Sequence, residues 1–191
     1  MESSGSTRNP PEPPIRLGIV LVGDDHPRKC TGRRLVRLGV AREVRLPLRP
    51  SERPVVLDPY AKVALTRADL PRALAGGVLA VDCSWNRLGA RHARGLPWEV
   101  ELRPAGGRRL PLLVAGNPQH FGRLGELNTA EALAAALVVL GRPEEARSLL
   151  AGFAGGLTFL ELNEARLARY ASASSAAELA RAERALFGAP L

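Results

Sequence analysis

The stretch GGVLAVDCSW, Gly76 to Trp85, constrains the fold more than any other part of this sequence. Val78 to Val81 form an apolar run entered through two glycines, with no alternation of polar and apolar positions. Such a run reads as a strand buried on both faces, the condition of a central strand in a parallel sheet. In open α/β sheets, ligands gather at the carboxyl edge, where strands give way to helices. The run ends at that edge in an acid, a thiol, a hydroxyl and an indole: Asp82, Cys83, Ser84 and Trp85. Two roles stay open for them at this level. Asp82 or Ser84 caps a helix starting near Trp85, or the group belongs to a site.

Strands and helices alternate on either side of this run. Residues 1–14, MESSGSTRNPPEPP, carry no apolar periodicity and read as a disordered leader. IRLGIVLVG, from Ile15, reads as a strand, CTGRRLVRLG as a short helix stopped by Gly39 with Leu35 and Leu38 inward, and REVRL and RPVVLDP as short strands. A helix capped by Thr66 follows, then the central run, a helix from about Trp85 and a strand in RLPLLVAGNP. Beyond Pro118 alanine and leucine take over. NTAEALAAALVVLG has Asn128 or Thr129 as cap, Glu131 in the first turn and Gly141 as stop; RPEEARSLLAGF begins on Pro143; SSAAELARAERALFG pairs Ser175 with Glu178. The expected fold class is α/β: a mainly parallel sheet domain over 15–116, then a smaller helical domain over 117–191.

With 191 residues and 46% hydrophobic content, the chain can build a substantial core. No stretch approaches the ~20 apolar residues of a membrane span, and no signal peptide is evident, so a cytoplasmic protein is expected. Cys30 and Cys83 read as reduced thiols, and His26, His92 and His120 share no ligand spacing, so no metal is expected. The phosphate loop GxxxxGK[ST], GxSxG and HExxH are all absent, which argues against the corresponding NTPase, serine hydrolase and zinc protease chemistries. A net charge of +8 points to a polyanionic partner, nucleic acid before membrane. In HPRKCTGRRLVRLG, Thr31 lies at a helix start among Arg28, Lys29, Arg33, Arg34 and Arg37. That pattern fits an anion site with an RNA-facing surface, and equally a capped helix with a solvated basic face. Thr129 marks a second helix start of the same kind.

HPRKCTGRRLVRLG, LDP, VDCSWNRL, LPLLVAGNP, LNTAEALAAAL, GRPEEARSLLAGF and FLELNEARLARY, in this order, resemble the small-subunit rRNA aminocarboxypropyltransferases of archaea and eukaryotes, from Ile15 to about Tyr170. The resemblance implies a SPOUT-like, knotted α/β domain joined to a helical one, acting as a monomer. It implies transfer of the 3-amino-3-carboxypropyl group of S-adenosylmethionine to N3 of a pseudouridine, or its N1-methyl derivative, in small-subunit rRNA. The alternatives are an RNA methyltransferase and a non-catalytic, rRNA-binding assembly factor. By the same resemblance, Trp85 with Leu88 buries the cofactor methyl, and Thr31 and Thr129 hold its carboxylate. The Val81 carbonyl takes the ribose hydroxyls. Leu57, Pro59, Leu110, Leu127 and Ala132 enclose the adenine, with backbone contacts at Leu110 and Gly125. Asp82 then orients the target base, accepts its N3 proton, or acts through charge beside the sulfonium. The chain departs from the family where relatives commonly read NPVNYG and FKWG: here NPQHFG, Asn117 to Gly122, and FAGG, Phe153 to Gly156.

Overall fold

The computed structural model describes residues 12–22, 30–49, 52–83, 85, 102 and 106–188. Its sheet holds β1 (Leu17–Leu21), β2 (Arg42–Glu43), β3 (Val55–Leu57), β4 (Val78–Asp82) and β5 (Gly107–Arg108), in the order β2-β1-β4-β3-β5. Every pairing is parallel. The central position inferred for Val78–Val81 is therefore correct: β4 pairs with β1 on one side and β3 on the other. Val78, Leu79 and Ala80 are all buried, as a strand covered on both faces requires.

Parallel neighbours need crossovers, and these set where the site falls. Helix α1 (Thr31–Arg37) leads from β1 to β2 at one side of the sheet, while the chain leaving β4 reaches β5 on the other. The connections diverge between the carboxyl ends of β1 and β4, which opens a crevice at that point. Asp82 lies there, opposite Leu21, and its carbonyl accepts from Val22 N–H at 3.3 Å. Gly39, with φ +70°, ends the α1 turn as expected. Leu38, expected to face inward, is 52% exposed, because the helix stops at Arg37 and its covered side is made by Gly32 and Leu35, with Val36 packed at the edge.

Thr66 begins a 3-10 turn at Arg67–Asp69 that runs into α2 (Leu70–Gly76). The C-terminal part forms α3 (Thr129–Val139), α4 (Pro143–Ala151), α5 (Gly156–Leu162), α6 (Glu164–Ala171) and α7 (Ala176–Phe187). Asn128 caps α3 in a reciprocal box with Glu131, Pro143 opens α4 and Ser175 caps α7, each at its predicted place. Helix α3 is apolar nearly all round, so burial on several sides is its stable condition. It packs on β4 and α1 and also against α4, α5 and α6. One hydrophobic core accordingly runs from Ile15, Leu17 and Ile19 through α3 to Leu179 and Ala182, across the 116/117 division.

The strand expected in RLPLLVAGNP, Arg109 to Pro118, does not form there. β5 lies just before it, and Arg109 makes only an isolated bridge to Ala64. The chain then makes a hairpin of its own, with Val114 bridging Leu124 antiparallel. Its backbone is claimed by the helices instead. Asn163, fully buried between α5 and α6, accepts from Val114 N–H at 2.9 Å and donates to the Val114 and Phe159 carbonyls at 2.7 and 2.9 Å. Glu183 takes Arg109 in a two-bonded pair, 2.8 Å each, and Leu112 N–H at 3.1 Å. Replacing Asn163 by Ala strands one buried N–H and two carbonyls, so the variant is expected to lose about 2–3 kcal/mol of stability, read by urea denaturation with an unchanged slope.

Candidate functional site

Asp82 is 7% exposed, and a carboxyl group so placed needs donors to replace water. It has three. Cys30 Sγ–H donates to Oδ2 at 2.7 Å, Gly32 N–H to Oδ1 at 3.3 Å, and the Thr129 hydroxyl also to Oδ1. Two come from the start of α1 and one from the start of α3, so the two helix N-termini meet at the end of β4. Glycine is required at position 32: a Cβ there would lie 2.7 Å from Asp82 Cγ, with the buried carboxyl unable to retreat.

Cys30, a lone reduced thiol by sequence, is the N-cap of α1. Its sulfur accepts from Arg33 N–H at 3.3 Å while its own proton goes to Asp82. Burial, followed by the bond to Asp82, pushes the thiol up to about 11, so it stays a donor at neutral pH. The sequence signal was its place one residue before a helix start; sulfur hid it, because caps are sought among Ser, Thr, Asp and Asn.

Four N–H groups open every helix without an intrahelical partner. In α1, Arg33 N–H reaches the Cys30 sulfur and Gly32 N–H Asp82, while Arg34 N–H makes the first helical bond to the Cys30 carbonyl. In α3, Asn128 receives Glu131 N–H on its side chain and Ala132 N–H on its carbonyl. At the Asp82 end stand Thr31 and Thr129, the first residues of the two helices. The Thr129 hydroxyl is already committed to Asp82.

Trp85 is half-buried, and its indole N–H donates to the Leu127 carbonyl at 2.7 Å, which ties it to the segment entering α3. Leu57 and Leu127 are buried in the main core, with Leu110 and Ala132 packed against it. Pro59 is exposed in the turn after β3, and Val81 is half-buried within β4. Gly125, at φ +79°, donates its N–H to the Leu113 carbonyl at 2.8 Å. Leu88, Arg28 and Lys29 lie outside the described residues. The α1 arginines Arg33, Arg34 and Arg37 are all exposed, and Arg34 also donates to the Gly152 carbonyl at 2.7 Å and stacks 4.8 Å over Phe153.

Two further groups carried no sequence signal beyond ordinary capping and surface placement. Glu131 is buried and binds Gly116 N–H at 2.8 Å, Asn117 Nδ2 at 2.7 Å and Asn128 N–H at 2.9 Å, fastening the hairpin to the start of α3. His120, expected at the surface, is half-buried and pairs with Glu126, whose carboxyl it holds below the ordinary range. No group of three or more metal-ligating side chains occurs among the described residues, and no helix among them is long and apolar enough to cross a membrane.

The arrangement matches known proteins over most of its length. The family model described as "Ribosome biogenesis protein, C-terminal" covers residues 55–187. The 16S rRNA aminocarboxypropyltransferase of Halobacterium salinarum is 42% identical over 175 residues, 92% of this chain and 98% of that protein. That of Methanosarcina acetivorans is 40% identical over 165 residues, 86% of this chain and 90% of the relative. The chain belongs to the rRNA aminocarboxypropyltransferase family. A solved structure described as the SAM-dependent rRNA:acp-transferase Tsr3 of Vulcanisaeta distributa superposes with a TM-score of 0.76 at 37% identity, covering 92% of this chain and 90% of that one. The 18S rRNA aminocarboxypropyltransferase of Schizosaccharomyces pombe is 38% identical over 90% of this chain, which spans 57% of that longer protein. A second model, described as a possible Fer4-like domain in RNase L inhibitor, covers residues 15–48. Cys30 is the one cysteine in that span, so it lacks the several thiolates an iron–sulfur cluster needs.

The raised thiol has a signed consequence. Between the ordinary thiol value of ~8.5 and about 11, the unfolded chain releases the Cys30 proton while the folded one keeps it, so stability falls as pH rises through that window. The slope from this group is at most about 1.4 kcal/mol per pH unit. Cys30→Ser keeps a capping, donating hydroxyl that does not titrate there, and denaturation midpoints at pH 8, 9 and 10 are expected to fall less steeply than in the wild type. Parallel curves for the two proteins would show that the thiol is not held protonated.

Proposed function

We propose that this chain transfers the 3-amino-3-carboxypropyl group of S-adenosylmethionine to N3 of a pseudouridine, or of its N1-methyl derivative, in small-subunit rRNA. The observation that carries the reading is the meeting of two helix starts on Asp82, in the crevice beside Trp85, within a chain of this family. Bound there, S-adenosylmethionine supplies a sulfonium with three carbon substituents, of which the aminocarboxypropyl carbon is the one to be attacked. The protein's task is to select it by position.

The residues present fit that ligand. Thr31, through its hydroxyl and N–H, and Thr129, through its N–H, hold the carboxylate. The Val81 carbonyl receives the ribose hydroxyls, and Leu57, Pro59, Leu110, Leu127 and Ala132 wall the adenine, with backbone contacts at Leu110 and Gly125. Trp85 and Leu88 bury the methyl, and the bond from the indole to Leu127 fixes the ring before the ligand arrives, which lowers the ordering cost of binding. Asp82 works by position and charge. Both its oxygens already accept hydrogen bonds, so taking the N3 proton would cost it a buried partner. Arg33, Arg34 and Arg37, with Arg28 and Lys29, meet the rRNA backbone. We take the sheet to be of the SPOUT type, with its chain threaded as in that family, and the enzyme to act as a cytoplasmic monomer without a metal.

Mass spectrometry of small-subunit rRNA incubated with the protein and the cofactor tests this. An aminocarboxypropyl adduct is expected; a methyl adduct makes the protein a methyltransferase, and no adduct makes it a binder. Trp85→Ala is expected to weaken cofactor binding by about 3 kcal/mol, roughly a hundredfold, with the fold retained. Unchanged affinity by calorimetry in a folded variant would remove Trp85 from the methyl pocket.

A further inference from the structure

Phe121 is the most exposed of the large apolar side chains recorded as exposed, at 61%. It sits at the tip of the hairpin whose limbs are bridged at Val114 and Leu124. The tip is rigidly built. Gly122 N–H donates to the Ala115 carbonyl at 2.9 Å, Arg123 N–H to the His120 carbonyl at 2.9 Å, and His120 N–H to Asn117 Oδ1 at 3.0 Å. Glu126 binds both His120 and Arg123, and Asn117 is anchored on buried Glu131. The tip nevertheless touches little: a Cβ added at Gly122 would meet no atom within 4 Å. A buried frame thus holds an aromatic ring in the open, where exposure is unfavourable unless something covers it.

We propose that Phe121 is a stacking platform for an unpaired base of the rRNA substrate. This rests on the function proposed above. Two observations choose RNA as the occupant. The chain carries a net charge of +8, and Arg123, two residues on from the ring and 62% exposed even as it pairs with Glu126, adds a cation to the same tip, so a polyanion is drawn to this face. The hairpin also leads into the segment that holds the indole: Leu127, which receives the Trp85 N–H, is six residues from Phe121, at most about 20 Å of chain. That spans no more than about six stacked nucleotides of a strand at 3.4 Å each. An unpaired segment with one base delivered to the Asp82 crevice can therefore lay another on the ring. The stacked face needs no hydrogen-bond code, because every base presents a π-face, and the rigid tip loses little freedom on contact.

The test compares wild type, Phe121→Ala and Phe121→Trp for binding to in vitro transcribed Methanosarcina acetivorans small-subunit rRNA, with S-adenosylmethionine affinity measured on the same preparations. Phe121→Ala is expected to lose about 5- to 150-fold in RNA affinity, the usual loss for one stacked base, with cofactor affinity unchanged, and Phe121→Trp is expected to restore binding. Equal RNA binding by Phe121→Ala and wild type, in a preparation that still transfers the group, would overturn the platform while leaving the enzyme assignment intact. A wild-type protein that neither binds the cofactor nor modifies rRNA would overturn both. A wild-type dimer by sedimentation that Phe121→Ala disperses, with RNA binding untouched, would assign the ring to a second copy instead.

Discussion

The structure depends on keeping one carboxyl group, Asp82, out of water at the end of the central strand. Burial without partners would cost several kcal/mol, so the donors around it are obligatory. They come from residues 30, 32 and 129, up to 52 positions away in sequence. Meeting that requirement fixes the start of α1 over β1, the start of α3 over β4, and the absence of a side chain at Gly32. The same requirement brings the first residues of two helices, Thr31 and Thr129, to the end of one strand.

A second set of buried polar ties carries that arrangement into the C-terminal helices. Glu131 links the hairpin to the α3 start, Asn163 takes up the backbone at Val114, Glu183 holds Arg109 and Leu112, and the Tyr170 hydroxyl donates to the Leu112 carbonyl at 3.0 Å. Residues 109–116 run from the sheet to the helices, and having few sheet partners of their own, they are held by side chains from α3, α6 and α7 and from Asn163 between α5 and α6. The helices thus complete hydrogen bonds that the short β5 leaves open. With a common apolar core, this explains why the site can use residues on both sides of the 116/117 division.

Local chemistry was legible in the sequence. Asn128, Pro143 and Ser175 act through atoms within three or four residues, so their helices began where expected, and the glycine-entered run at Val78 had only one comfortable place in a parallel sheet. Long-range choices were not. LPLLVAG carries a strand-like composition, but whether its N–H groups pair with a strand or with Asn163 and Glu183 depends on residues about 50 to 70 positions away. Cys30 illustrates a subtler failure: its capping role is local, yet the driving interaction is its bond to Asp82. The cofactor roles came from motif resemblance, since composition and periodicity do not distinguish a capping threonine from one that also faces a ligand.

Charge shows most clearly why residue counts mislead. A net +8 suggests a surface crowded with cations waiting for phosphate, but several arginines hold the protein together. Arg34 joins α1 to the α4–α5 turn, Arg108 pairs with Asp69 at 3.0 Å, and Arg109 is closed on Glu183. A guanidinium in a two-bonded pair or stacked on a ring is already using the geometry that makes arginine good at binding phosphate. The arginines that still face solvent without such an ion pair, among them Arg33 and Arg37 on α1, are the ones able to release counterions to a polyanion. Arginine here serves two ends with one chemistry, and only the folded positions separate the cations that brace the site from those that can meet its substrate.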